Sequence, residues 1–179
     1  MILLKNKIYI YGIVQGVGFR PFVARLAKEH NIRGAVRNAL GHVAIEAVGT
    51  AEDMFRFVCD LEKRKPEGSV INSIRQKSEP LAGNAYVCHD FTIEPSGGDG
   101  EGPVMPAPDI AVCDDCVKEL FAPGDPRREN PFISCTRCGP RFSIMRCAPY
   151  DRENTSMGVF RLCSLCESQY KDPADRRFH

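Results

Sequence analysis

The stretch YGIVQGVGFRPF, residues 11–22, decides the reading of the first half of the chain. Before it, KIYIYGIV alternates β-branched and aromatic residues in the manner of a strand; after it, RPFVARLAKEH spaces apolar residues at helical intervals. Gly12, Gly16 and Gly18 therefore sit at a strand-to-helix turn. Glycine admits positive φ and the close approach of a ligand, and the first amides of a helix have no partner within it. Such a turn suits an anion, phosphate above all. Arg20, where the helix begins, adds a permanently charged planar fork. A tight turn with no ligand would show the same local pattern.

Working outward, the first 95 residues read as strand (about 5–14), helix (about 20–30), strand (about 33–38), strand (about 42–48), helix (about 51–64), strand (about 70–78) and strand (about 86–94). NALG before HVAIEAV supplies the turn between strands two and three. Thr50-Ala-Glu-Asp53 resembles a capping box for the second helix, whose inner face is read as Phe55, Val58 and Cys59. Cys59 and Cys88 read as small structural residues, and His30, His42 and His89 as surface or satisfied positions. The order βαββαβ with a small extension is ferredoxin-like, an α+β class with two helices on one face of an antiparallel sheet.

Residues 96–108, SGGDGEGPVMPAP, are too rich in Gly and Pro to form an element and read as a linker between region 1–95 and region 109–179. A hydrophobic content of 43% supports a packed core, and a formal charge of +1 excludes a generally basic nucleic-acid binder. No apolar run approaches the roughly 20 residues that span a bilayer, and the start lacks a signal-peptide pattern. The expectation is a cytoplasmic protein with no membrane association.

Seven of the nine cysteines fall between Cys113 and Cys166. An odd total, C-x2-C spacings and no export signal favour metal over disulfides. Cys113 and Cys116, then 18 residues, then Cys135 and Cys138 supply four thiolates, enough for a closed tetrahedral zinc site with a structural role. The segment repeats. CDDCVKELFAPGDPRRE (113–129) aligns without gaps on CSLCESQYKDPADRRFH (163–179) at an offset of 50 residues, matching both cysteines, Pro123 with Pro173, Asp125 with Asp175 and Arg127 with Arg177. The same offset places a second pair at positions 185 and 188, past the last residue. Region 109–179 is therefore expected to hold one complete finger and one cut off, with Cys163 and Cys166 as ligands of the second and His179 as a possible further ligand. Cys147 belongs to no pair.

With the elements placed, V-Q-G-V-G-F-R at 14–20 and V-R-N at 36–38, together with G-A-V-R-N-A-L-G-H-V and E-A-V-G, resemble the acylphosphatase family signature. The resemblance implies that Arg20 holds the phosphate and Asn38 positions the attacking water, with Gln15, Gly16, Val17, Gly18 and Phe19 as the cradle. An acyl phosphate has a good leaving group, so holding the phosphoryl group and aiming a water is most of the task. Asn cannot take a proton at neutral pH, which points to substrate-assisted hydrolysis. Ala35 departs from the family, where Trp is common.

Over the whole length, an acylphosphatase-like domain followed by VCDDC, NPFISCTRCGPRFSI, PYDRENTSM and YKDPADRRFH resembles the N-terminal part of the HypF-type carbamoyltransferases of NiFe-hydrogenase maturation. That resemblance implies hydrolysis of carbamoyl phosphate to carbamate and phosphate, zinc as cofactor, and, through later domains, ATP-dependent carbamoyl adenylate formation and transfer to HypE. No G-x4-G-K-[ST] occurs in these residues. Two rival readings are a non-catalytic phosphate-binding or docking module, and an acylphosphatase fused to a nucleic-acid-binding zinc ribbon; balanced charge argues against the latter.

Overall fold

Two apolar strands run through the middle of the first region, and the rest of the sheet is built outward from them. The computed structural model describes residues 3–81, 89–97, 100 and 103–178; Cys88, His179 and positions 86–88 of the expected last strand lie outside them. β1 (Leu3–Ile13) pairs antiparallel with β3 (His42–Thr50) on one side and β4 (Val70–Pro80) on the other. β2 (Arg33–Ala39) pairs antiparallel with β3 through the two-residue turn Leu40-Gly41, with Gly41 at φ 82°. The short β5 (Phe91–Ile93) adds in parallel to β2, giving the order β4-β1-β3-β2-β5.

α1 (Phe19–Glu29) and α2 (Ala51–Lys63) bury their apolar rows against this sheet: Val23, Leu26, Met54, Phe57 and Leu61 join Ile8, Ile10, Val36, Val43 and Ile45 in one cluster. This is the ferredoxin-like α+β arrangement that the element order predicts.

The phase of α2 corrects one expectation. Thr50 caps the helix, accepting the Asp53 amide at 3.1 Å while its hydroxyl donates to Asp53 Oδ2 at 2.7 Å. From that start Met54, Phe57, Val58 and Leu61 face the sheet, whereas Phe55 is 72% exposed. One residue along a helix is a turn of about 100°, enough to carry Phe55 off the buried row. Cys59 is a half-buried free thiol beside that row.

Gly12 serves the sheet rather than the turn after it. The β1–β4 register shifts between Tyr11 and Gly12, Gly12 has φ 137°, and a Cβ there would lie 2.0 Å from the Val70 carbonyl oxygen. His30 pairs with Asp60 at 3.0 Å. His42 is buried between Tyr9 and Tyr11, and its burial lowers its pKa.

Beyond residues 96–108, where Ala107 packs into the first region's core, the chain forms short elements. α3 (Asp114–Phe121) and α4 (Ser164–Lys171) stand 50 residues apart at both ends, each capped by the first cysteine of its C-x2-C pair. Between them lie 3₁₀ turns at Phe142–Ile144, Arg152–Asn154 and Ser156–Val159. Apolar packing here is small: Cys116, Ile133 and Cys138, with Cys113 and Leu120 against them.

Candidate active site and metal centre

β1 delivers the chain into a loop that turns on Gly16 and Gly18, both left-handed at φ 67° and 69°. Gly18 caps α1 without a side chain, and α1 has no acid in its first turn. Among the described residues no protein acceptor takes the amides of Gly16 through Arg20. Free amides at a helix N-terminus favour an anion. Gly16, Val17, Gly18, Phe19, Arg20 and Asn38 line one cavity of about 460 Å³.

Asn38 comes from β2, where alternation turns it to the helix side. It is buried, and its Oδ1 has no hydrogen-bond partner. A buried carbonyl oxygen without a donor costs about 1–3 kcal/mol, so this acceptor, on a residue that lines the cavity, is left unclaimed by the described residues. Gln15, by contrast, spends its side chain within the protein. Its Nε2 donates to Ala39 O at 2.7 Å and His42 O at 3.0 Å, and its Oε1 accepts the Tyr150 amide at 3.3 Å. Gln15 thereby ties the loop to the β2–β3 turn and to the second region, and it does not line the cavity.

The other wall comes from the second region. Arg137, Pro140, Tyr150 and Arg176 line the same cavity, and with Arg20 and Arg25 they bring four guanidinium groups to it against one carboxylate, Asp175. A Cβ on Gly16 would meet Pro140 Cβ at 3.0 Å and the Tyr150 ring at 3.3 Å, so glycine is what lets this cover close. Arg20, 8% exposed in its side chain, donates through Nη2 to Asp151 Oδ1 at 3.2 Å and through Nη1 to Ser96 Oγ at 3.3 Å.

The sequence reading missed Ser96, Arg137, Tyr150, Asp151 and Arg176. The block PYDRENTSM stood out as a motif, yet no periodicity or spacing links position 151 to position 20.

The sulfur atoms of Cys113, Cys116, Cys135 and Cys138 all lie within 4.8 Å of one another, and the last three residues are buried. Tetrahedral coordination at a metal–sulfur distance of about 2.3 Å sets sulfurs about 3.8 Å apart. Cys138 lies 3.4 Å from Cys113 and 3.5 Å from Cys116, so the set fits a metal ion. Burial pushes the Cys113 thiol up, but the Cys116 amide and the neighbouring thiols bring it down to about 7. Arg176 Nη1 donates to Cys138 Sγ at 2.6 Å and Cys116 Sγ at 3.3 Å, offsetting the charge of thiolates.

Cys163 is exposed and Cys166 half-buried, and among the described residues they join no metal cluster. Cys147 is an exposed free thiol. The two halves of the repeat grip each other reciprocally: Arg177 bonds Glu119 and approaches Cys116 Sγ at 4.0 Å, while Arg127 bonds Gln169 and lies 3.4 Å from Cys166 Sγ. Every partner in one set lies 50 residues from its counterpart in the other.

Comparison with known proteins agrees with both halves. The acylphosphatase family profile matches residues 6–93 and the HypF finger profile residues 112–145. The chain is 41% identical over 177 residues to "Carbamoyltransferase HypF" of Rhodobacter capsulatus, covering 97% of this chain and 22% of that protein. It is 39% identical over 93 residues to an acylphosphatase of Actinobacillus succinogenes, covering 51% of this chain and 99% of that protein. A crystal structure of full-length HypF in the phosphate- and nucleotide-bound form superposes with a TM-score of 0.85 at 42% identity, covering all of this chain and 23% of that one. The chain thus spans less than a quarter of the HypF proteins it matches. It belongs to the acylphosphatase family and, with the HypF finger joined to it, corresponds to the N-terminal part of the HypF carbamoyltransferases.

Proposed function

We propose that the first region hydrolyses carbamoyl phosphate to carbamate and phosphate. The observation that carries this reading is the cavity itself, which is lined by the loop with its unclaimed amides, by Arg20 and by Asn38, whose buried Oδ1 has no partner among the described residues. The amides and Arg20 hold the phosphoryl oxygens, and Asn38 accepts a hydrogen bond from the water that attacks phosphorus. The P–O bond to the carbamoyl group breaks and carbamate leaves as a carboxylate. One proton of the water stays on the new P–OH, and the other passes to a phosphoryl oxygen, so no protein base is required. Preorganised donors around the phosphoryl group supply most of the acceleration.

The four-cysteine site holds zinc, whose all-thiolate shell leaves no open position and makes it structural. Zinc, when bound, would hold the Cys135–Cys138 turn and with it the neighbouring Arg137 and Pro140 at the cavity wall. In the whole protein the carbamate would feed an ATP-dependent activation and a transfer to HypE carried out by other domains, in the cytoplasm. Among the described residues no helix is long and apolar enough to cross a membrane.

The test is phosphate release from carbamoyl phosphate and from acetyl phosphate by the chain, with Arg20→Ala and Asn38→Ala beside it. Release that falls by about 10²-fold or more in each variant supports the reading. A folded, metal-loaded chain that binds phosphate without releasing it would make the cavity a binding site only.

A further inference from the structure

Arg20 is held from across the domain boundary. Its guanidinium has five N–H donors, and two bonds to protein partners use one hydrogen on each terminal nitrogen, to Asp151 Oδ1 at 3.2 Å and Ser96 Oγ at 3.3 Å. Arg20 lines the cavity, whereas Asp151 and Ser96 do not. These two bonds engage one N–H on each terminal nitrogen, and three N–H groups of the guanidinium lie outside them.

Both acceptors are themselves fixed. Ser96 follows β5 in a segment bonded to β2, with Glu94 N donating to Val36 O and Gly97 N to Asn38 O, both at 2.9 Å. The backbone before Asp151 is pinned by the Tyr150 amide on Gln15 Oε1, and the Tyr150 hydroxyl accepts the Arg141 amide at 2.7 Å. The backbone after it turns, with Asn154 N donating to Asp151 O at 2.9 Å. The side chains of the ion pair are 8% and 18% exposed, so solvent screens the bond little.

We propose that Asp151, from the second region, is a positioning residue for Arg20, so that the anion site of the acylphosphatase domain is completed by the finger region. The inference rests on the hydrolytic reading only for its kinetic consequence; the positioning itself concerns anion binding. A carboxylate acting instead as an internal blocker would occupy the cavity and compete with phosphate. The two roles give opposite signs.

The full chain carrying Asp151→Asn, with Asp151→Glu as the conservative variant, decides between them. Phosphate affinity is measured by calorimetry, kcat and KM with acetyl phosphate, and the order of the Arg20 side chain by nitrogen-15 relaxation of its Nε–H, assigned with Arg20→Lys. Metal content and melting temperature confirm that each variant is folded. Expected for Asp151→Asn are phosphate binding weaker by about 10-fold to 100-fold, a KM raised to match and loss of order at Nε, since small misplacement of a positioning group costs about that much. Asp151→Glu should recover part of all three. Unchanged or tighter phosphate binding in Asp151→Asn, with Nε equally ordered, overturns the proposal. If the parent binds phosphate without hydrolysing it, the hydrolytic reading falls while affinity and Nε order still decide this one; a parent that does not bind phosphate overturns this proposal as well, since there is then no anion site to complete.

Discussion

The two halves of this chain are stabilised by different physics. In the first, two helices close over a five-stranded sheet and bury a continuous apolar cluster that includes Phe19, Phe57, Leu26 and Leu61. In the second, α4 buries nothing fully and the compact cluster consists of two cysteines and Ile133. A segment of about 70 residues rarely supplies enough apolar burial to fold on it alone and usually needs a metal or disulfides. The difference teaches that the loop wall of the cavity rests on an apolar core, whereas the wall opposite it is expected to be only as ordered as the four-cysteine site beside it.

The sharpest way to break this contrast is to take the metal away. Chelation, or Cys135→Ser, is expected to abolish dispersed amide signals from residues 109–178 while amides of the β1–β3 ladder stay protected from exchange; simultaneous loss of both would erase the distinction. Next in size, Phe57→Ala should cost about 3–5 kcal/mol in denaturant unfolding of the first region and leave metal content unchanged. A smaller effect belongs to Glu119. The Arg177 hydrogen bond, against the cost of burial and aided by Arg176, holds its carboxyl down to about 2. A depressed pKa contributes stability that is complete above the ordinary value of 4.5 and is lost as pH falls through about 2. Glu119→Gln should therefore destabilise the second region by about 1–3 kcal/mol near neutral pH, with a gap from the parent that narrows between pH 4.5 and 2. A gap that does not change with pH would assign the effect to packing. Smallest of all, Phe55→Ser on the open face of α2 should shift stability by less than about 0.5 kcal/mol.

That last case also marks where sequence patterning stops. The strand, glycine turn and helix around Arg20 were legible because period and backbone freedom are local properties, and the β2–β3 turn was legible for the same reason. Phe55 was misread because three apolar residues fit a helical face in more than one phase, and the Thr50 cap selects the one with Met54, Phe57 and Leu61 inward. The cysteine spacing picked out the four sulfurs that gather within 4.8 Å of one another, but α3 and α4 went unseen: each is eight residues long and follows a cysteine, too short to show a period. Of the site, the residues on β1, α1 and β2 were readable from one compact motif. Asp151 was not, because its relation to Arg20 arises only when two regions pack.

The reciprocal grip of Arg127 and Arg177 carries a further consequence. When residue i of one unit meets j of another while j meets i, the contact is isologous, the form that two-fold dimers use. The finger region thus has the interior of a small homodimer written into a single polypeptide. Covalent fusion removes the concentration dependence of such a dimer and frees its two copies to diverge, as Glu119 and Gln169 already have, one keeping an ionic partner for its arginine and the other a neutral one.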